Sequence, residues 1–318
     1  MTQLNMFDME KKKFKIDKPI RLIELFAGIG AQAKALENLG VEFEHYRVCE
    51  FDKYAVKSYN AIHGTNFETS DIRDVKAEDL GICDTDKYCY ILTYSFPCTD
   101  LSLAGKQMGM SKGSGTRSGL LWEVERLLKE ADTLPQVLLM ENVPQVHGKK
   151  AFDDWKDWLL FLESKGYSNY WADLNAKNYG VPQNRNRTFC VSLLGNYTYE
   201  FPKPFPLEKR LKDVLEDEVD EKYYLSDDKI SSIAKWKAQQ KPFERVAGKN
   251  SISPTLTARG AGLEHSGMIT YCDELEEITN LQIGIDKSSN NPQVIDVANC
   301  ITAREDRGVS SRRSEGEI

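Results

Sequence analysis

Between residues 20 and 194 the chain alternates short apolar runs with stretches in which apolar residues return every three or four positions. Runs such as Ile20-Arg-Leu-Ile-Glu-Leu-Phe-Ala27 and Cys89 to Tyr94 are too short for a buried helix and read as strands. The stretches Ala31 to Leu39, Asp52 to Ile62, Arg117 to Ala131 and Phe152 to Lys165 read as helices; Ala55, Val56, Tyr59 and Ile62 fall on one face of the second. Strands that alternate with helices predict an α/β fold: a mostly parallel sheet with helices on both faces. Further strands are expected at Glu44 to Cys49, in a short segment ending at Asp71-Ile72, and at Val137 to Asn142, Tyr167 to Leu174 and Thr188 to Leu194. The last two are joined by a loop instead of a helix, which predicts an antiparallel edge strand.

A chain of 318 residues is long enough for one large domain and a smaller one. Residues 1–18 are polar and charged and are expected to form a flexible lead-in, with the sheet domain over 19–200. The proline-rich Phe201-Pro-Lys-Pro-Phe-Pro206 marks the exit into a smaller, loop-rich region over 201–318. Leu207 to Gln240 reads as charged and largely helical. Beyond Phe243 two segments share a Thr-Ala-Arg core, at Ser253 to Gly260 and Asn299 to Arg307. No apolar run is long enough to span a membrane and no signal-peptide pattern opens the chain, so no membrane partner and a cytoplasmic location are expected. Seven cysteines, without CxxC pairs or zinc-like spacing, predict reduced thiols and no metal centre. The net charge of −7 runs against a nucleic-acid partner, whose phosphates attract basic surfaces. Local basic candidates remain at Lys11-Lys12-Lys13-Phe14-Lys15 and at Arg304, Arg307, Arg312 and Arg313.

Several residues stand at strand ends, where α/β sheets bind their ligands. Phe26-Ala-Gly-Ile-Gly30 turns from strand to helix, and its glycines let backbone N–H groups approach a ligand closely. Glu50 ends the next strand about 20 residues on, the offset at which an acidic residue holds ribose hydroxyls. No third glycine completes the dinucleotide fingerprint, so one nucleoside fits better than two. Asp71 is placed to accept from an adenine amino group; for Glu50 and Asp71 the competing reading is a solvated strand-end carboxylate. The run Cys89 to Tyr94 breaks at Pro97 and delivers Cys98 into a polar loop, where Cys98 is either a small core residue or a nucleophile. Glu141 ends an apolar strand as an acid or a hydrogen-bonding partner. Gln183, Arg185 and Arg187 alternate, so on a strand they would face the same way and grip an anion or a base edge.

In this order, Phe26-Ala-Gly-Ile-Gly30, Glu50, Asp71-Ile72, Pro97-Cys98, Glu141-Asn142-Val143 and Gln183-Asn-Arg-Asn-Arg187 resemble the DNA (cytosine-5) methyltransferase family of bacteria and phages, over roughly residues 20–195. Leu211-Lys-Asp-Val-Leu-Glu216 also resembles the segment that follows in that family. The resemblance implies the Rossmann-like methyltransferase sheet with a recognition domain, S-adenosyl-L-methionine as cofactor and double-stranded DNA as partner. It implies that Cys98 adds to C6 of a flipped cytosine, that Glu141 meets N3 and the exocyclic amine, and that Arg187, with Arg185, contacts the O2 side. Phe26, Ala27, Gly28, Gly30, Glu50, Asp71, Ile72 and Pro97 would line the cofactor site, with no metal needed. A restriction–modification or phage anti-restriction role follows, with an RNA cytosine-5 methyltransferase or a truncated DNA- or cofactor-binding protein as the alternatives.

The chain departs from the family pattern in two places. Phe96-Pro97-Cys98-Thr99 stands where relatives carry Pro-Pro-Cys-Gln, and the Gly- and Ser-rich Ala104 to Gly119 corresponds to the segment that closes over flipped DNA. The family's last two motifs, a Leu-Thr-x-x-Glu helix and a Gly-Asn-x-Val helix, are not evident; Lys249-Asn250-Ser251-Ile252 is a faint echo of the second. The expectation is therefore a truncated product, or a second polypeptide that supplies the remainder.

Overall fold

The computed structural model describes residues 12–98, 101, 110–113, 115–216, 246–248, 250–255, 268–270, 297–299, 303–304 and 308–309. Its centre is a six-stranded sheet. In chain order the elements are β1 (Ile20–Leu25), α1 (Ala31–Asn38), β2 (Phe43–Cys49), α2 (Lys53–His63), β3 (Cys89–Tyr94), α3 (Leu121–Glu130), β4 (Val137–Asn142), α4 (Phe152–Ser164), β5 (Tyr167–Asn175) and β6 (Asn186–Leu194). The strands lie in the order β2-β1-β3-β4-β6-β5. Those from β2 to β4 are parallel and β6 runs antiparallel to β4, one place in from the edge strand β5.

Strand alternation divides the core between the two sheet faces. Ile23, Leu25, Tyr90, Leu92, Tyr94, Leu138 and Met140 meet α3 and α4 through Leu121, Val124, Leu127, Trp155, Trp158 and Leu162. Leu22, Cys89, Ile91, Val137, Val191 and Leu193 form the second layer with Ala33 and Leu36 of α1. β3 is buried at every position, as befits a central strand covered on both faces.

The chain forms two compact units: Met1–Leu174 with Asn186–Pro202, and Asn175–Arg185 with Lys203–Ile318. Residues 175–185 thus leave the sheet unit for the second, an excursion with no mark in the sequence. There the strand Gln183–Asn184 pairs in parallel with Ser253–Pro254, the Ser253 N–H donates to the Pro182 carbonyl at 2.8 Å, and the Phe205 N–H donates to the Asn178 carbonyl at 3.1 Å. The second unit also holds a three-stranded sheet of Val246–Gly248, Met268–Thr270 and Val297–Asn299, and an antiparallel pair of Ala303–Arg304 with Gly308–Val309.

Four sequence expectations need correction. No strand ends at Asp71: residues 65–70 belong to no strand, the Ser70 N–H donates to the carbonyl of Glu50 just past β2 at 2.8 Å, and Asp71 opens a turn. Gln183, Arg185 and Arg187 do not share a strand, because the Arg185 N–H turns back to the Gln183 carbonyl at 3.0 Å and breaks the run. The described part of the lead-in is tied down: Lys12–Lys13 pair in parallel with Tyr197–Thr198, and Phe14 meets Tyr197 edge-on at 4.9 Å. Of the helical stretch expected over 207–240, residues 207–216 hold only a short 3-10 turn at Leu211–Asp213. The remainder, the first lysine of the basic run, much of the loop over 104–119, Lys249, Arg307, Arg312, Arg313 and most of both Thr-Ala-Arg segments lie outside the described residues.

Candidate active site

The parallel strands bring their carboxyl ends to one edge. Register pairs Leu25 with Cys49, Leu25 with Tyr94, and Tyr94 with Met140, so the Phe26 turn, Glu50, the Cys98 loop and Glu141 all emerge there. The turn after β1 is tight. Phe26, Gly28 and Gly30 have φ of 58°, 56° and 81°, in the left-handed region that favours glycine. A Cβ on Gly28 would meet no atom within 4 Å, whereas one on Gly30 would lie 2.3 Å from His63 Nε2 and 2.7 Å from Tyr59 Cε2. Gly28 therefore faces open space and Gly30 is packed against α2. Beneath the turn, fully buried Glu24 accepts the Ala33 N–H at 3.3 Å and the Tyr59 hydroxyl at 2.5 Å. Burial pushes the Glu24 carboxyl above its usual pKa, partly offset by those donors.

Glu50 joins the turn to β2. Its Oε2 accepts the Gly28 N–H at 3.0 Å and its Oε1 the Asp52 N–H at 2.9 Å. Burial raises its pKa against the pull of these N–H donors. A desolvated carboxylate beside an open glycine turn suits a ligand that brings hydroxyl donors. Phe51, next in the chain, is 62% exposed and offers an aromatic face for a base. Asp71 is held by Arg73 through Nε at 2.9 Å and Nη2 at 2.5 Å, which pulls its pKa down, while Ile72 is buried in the core. A base amino group at Asp71 would therefore share the carboxylate with Arg73.

Cys98 is half-buried, outside any disulfide, and packs on the layer that carries α3 and α4. Its loop is anchored from three elements. The Asn142 side chain at the end of β4 donates to the Phe96 carbonyl at 3.0 Å, and its oxygen accepts the Val143 N–H at 2.8 Å. The buried Ser118 hydroxyl donates to the Pro97 carbonyl at 2.8 Å. Gln32 of α1 donates to the Ser95 hydroxyl at 2.8 Å. One strand over, Arg187 Nε meets Glu141 Oε1 at 3.0 Å, both side chains largely shielded. The antiparallel register of β4 with β6 places Glu141 opposite Phe189, so Arg187 reaches it diagonally.

The sheet unit thus gathers Phe26, Ala27, Gly28, Gly30, Glu50, Pro97, Cys98, Glu141 and Arg187 at one edge, whereas Arg185 belongs to the second unit. Sequence reasoning missed the anchors Ser118 and Gln32, the anchoring role of Asn142 within the motif it had named, and the aromatic face of Phe51. Phe51 was findable as an aromatic directly after a strand-end acid; the anchors reveal themselves only through tertiary contacts.

The family model for C-5 cytosine-specific DNA methylase matches residues 20–303 and so continues well past the proline-rich exit. The type II methyltransferase M2.ScrFI of Lactococcus lactis subsp. cremoris is 35% identical over 67% of this chain and 72% of its own length. The orphan methyltransferase M.SssI of Spiroplasma monobiae is 34% identical over 77% of this chain and 81% of its own. Among solved structures, the S. pombe Dnmt2 methyltransferase superposes with a TM-score of 0.65 at 21% identity, covering 90% of this chain and 84% of that one, a likeness of fold. None of these matches supports a second polypeptide. Among the described residues, no helix is long and apolar enough to cross a membrane.

Proposed function

The chain belongs to the C-5 cytosine-specific DNA methylase family, and on that premise we propose that it methylates C5 of a flipped cytosine in duplex DNA through a covalent adduct at Cys98. The observation that carries the reading is the shared sheet edge: a thiol loop pinned by Asn142 and Ser118 beside the Glu141–Arg187 pair, one strand from an open glycine turn. The type II and orphan methyltransferases it resembles support a restriction–modification or phage anti-restriction role.

The family uses S-adenosyl-L-methionine, which when bound supplies an electrophilic methyl group. The residues present fit it: the open turn at Gly28, with Phe26 and Ala27 beside it and Gly30 shaping it, would take its amino-acid end, Glu50 would take its ribose hydroxyls, and Asp71 and Ile72 would meet its base, with Pro97 part of the same lining. Cytosine C5 is a weak nucleophile, and the protein's task is to raise its electron density. Cys98, reacting as a thiolate, bonds through Sγ to C6 and breaks the C5–C6 π bond, while Glu141 meets the exocyclic amine and passes a proton from water to N3. Arg187 holds Glu141 in place and contacts the O2 side, with Arg185 in a supporting role. After C5 is methylated, its proton leaves to water, the C6–S bond breaks as the C5–C6 double bond re-forms, N3 gives its proton back through Glu141, and the thiolate is recovered. Cys98 reaches C6 only from above the ring, so the base must leave the stack.

Incubation with methyl-labelled cofactor and mixed-sequence duplex DNA should place label on cytosine C5; label on adenine, or on RNA alone, would overturn the reading. Cys98→Ser should abolish both transfer and covalent capture by 5-fluorocytosine DNA. Capture that survives the substitution would identify a different nucleophile.

A further inference from the structure

On the sheet face that carries α1, three elements bring Glu37 (the last turn of α1), His45 (within β2) and His63 (the end of α2) together, with one ligand atom from each within 4.8 Å of the others. What separates the group from a chance cluster is the way both imidazoles are held. His45 Nδ1 lies 2.8 Å from the Tyr59 hydroxyl, which spends its own proton on Glu24 at 2.5 Å. The hydroxyl can only accept from His45, so the network assigns the proton to Nδ1 and leaves the Nε2 lone pair facing Glu37 Oε1 at 3.9 Å. His63 Nε2 lies 3.1 Å from the Ile29 carbonyl, which also can only accept; Nε2 carries a proton and Nδ1 faces the same Glu37 oxygen at 2.6 Å. Each ring is thus fixed at its far nitrogen while the near nitrogens converge on one carboxylate oxygen, as outer partners orient metal-bound histidines.

Electrostatics agree with the geometry. Burial, with His63 beside it, lowers the pKa of His45 and favours its neutral, ligating form. Lys34 takes the other Glu37 oxygen at 2.8 Å, and Lys34 and His63 hold the Glu37 carboxyl down at about 2. The carboxylate is partly exposed at 30%, which leaves a way in from solvent.

We infer that Glu37, His45 and His63 bind one divalent cation of the zinc class, with a fourth position open to water. Tetrahedral zinc at the usual bond lengths of roughly 2.0–2.2 Å sets its ligand atoms roughly 3.3 Å apart. The His63–Glu37 contact must open and the His45–Glu37 contact close, each by less than about 1 Å, with the two rings drawing together. The cation takes the place of the proton between His63 Nδ1 and Glu37, and that proton goes to solvent. Its role is structural: it ties α1, β2 and α2 behind the turn whose Ile29 carbonyl holds His63, and takes no part in methyl transfer.

The test uses the full chain, stripped with a chelator and titrated with Zn2+ by calorimetry, with Co2+ as a spectroscopic probe. One Zn2+ per chain, a rise in melting temperature with added Zn2+, and a tetrahedral Co2+ spectrum without sulfur-to-metal charge transfer are expected. Glu37→Gln and His45→Gln should each weaken binding at least tenfold, while Cys98→Ser leaves it unchanged. No uptake, uptake that persists in both variants, or a thiolate spectrum would overturn the assignment.

Discussion

Asn142 serves two backbone partners with one amide and is 2% exposed. Replacement by Ala removes a donor from the Phe96 carbonyl and an acceptor from the Val143 N–H, a loss of about 1–3 kcal/mol where such groups stay buried. The larger effect falls on geometry, because the carbonyl it holds lies two residues from Cys98, the proposed nucleophile. A displacement of about 1 Å at a reacting group costs on the order of 100-fold in rate. Asn142→Ala should therefore lower the single-turnover rate of methyl transfer by about 10- to 100-fold, with cofactor affinity unchanged within about twofold. Asn142→Asp, which keeps the acceptor but loses the donor, should fall in the same range, since it is the bond to Phe96 that positions the thiol. A wild-type rate in either variant would show that Ser118 and Gln32 pin the loop without Asn142.

At the scale of elements, the turn between β1 and α1 divides its glycines by task. Gly30 is the one that folding needs: an Ala there adds left-handed strain of about 1–2 kcal/mol and drives a methyl into His63 and Tyr59. With the overpacking cost included, Gly30→Ala should lose about 2–5 kcal/mol in urea unfolding. Gly28→Ala should lose only about 1–2 kcal/mol, yet weaken cofactor binding strongly, because its methyl enters the open space of the turn. Equal stability losses with equal cofactor affinities would refute the division. The same contrast explains what could be read in advance. The spans of β3 and β4 were legible to the residue, because strands covered on both faces appear as unbroken apolar runs. The segment expected to end as a strand at Asp71-Ile72 misled because the chain there meets the sheet's edge only through the backbone bond from Ser70 to the Glu50 carbonyl. The break at Arg185 follows from a two-residue back-bond, and no residue type in Gln183-Asn-Arg-Asn-Arg187 marks it. That Cys98 and Glu141 follow strands that end at one edge was legible, because both strands could be read from their apolar runs. The Glu37, His45 and His63 group was not, since its members come from three elements and share no spacing.

At the scale of the whole molecule, an excess of acidic residues has to be reconciled with a polyanionic substrate. A net charge of −7 gives no long-range attraction to DNA, so binding must rest on short-range contacts between local basic groups and phosphates. These two sources of affinity respond differently to salt. Release of counterions depends on the number of phosphates neutralised, at a slope of about −0.9 per contact in log K against log salt, whatever the total charge of the protein. Self-repulsion between an acidic chain and DNA is instead relieved by salt and would flatten or reverse that slope. Duplex binding measured by anisotropy from low to moderate salt should therefore fall with a slope of about −3 or steeper, as several phosphates must be held while a base is flipped. Association rates should sit well below those of electrostatically steered binders and should not fall as salt is added, because the overall field opposes the encounter. A flat or rising equilibrium slope would mean that phosphate neutralisation does not outweigh the repulsion between the acidic chain and DNA, and would refute the prediction.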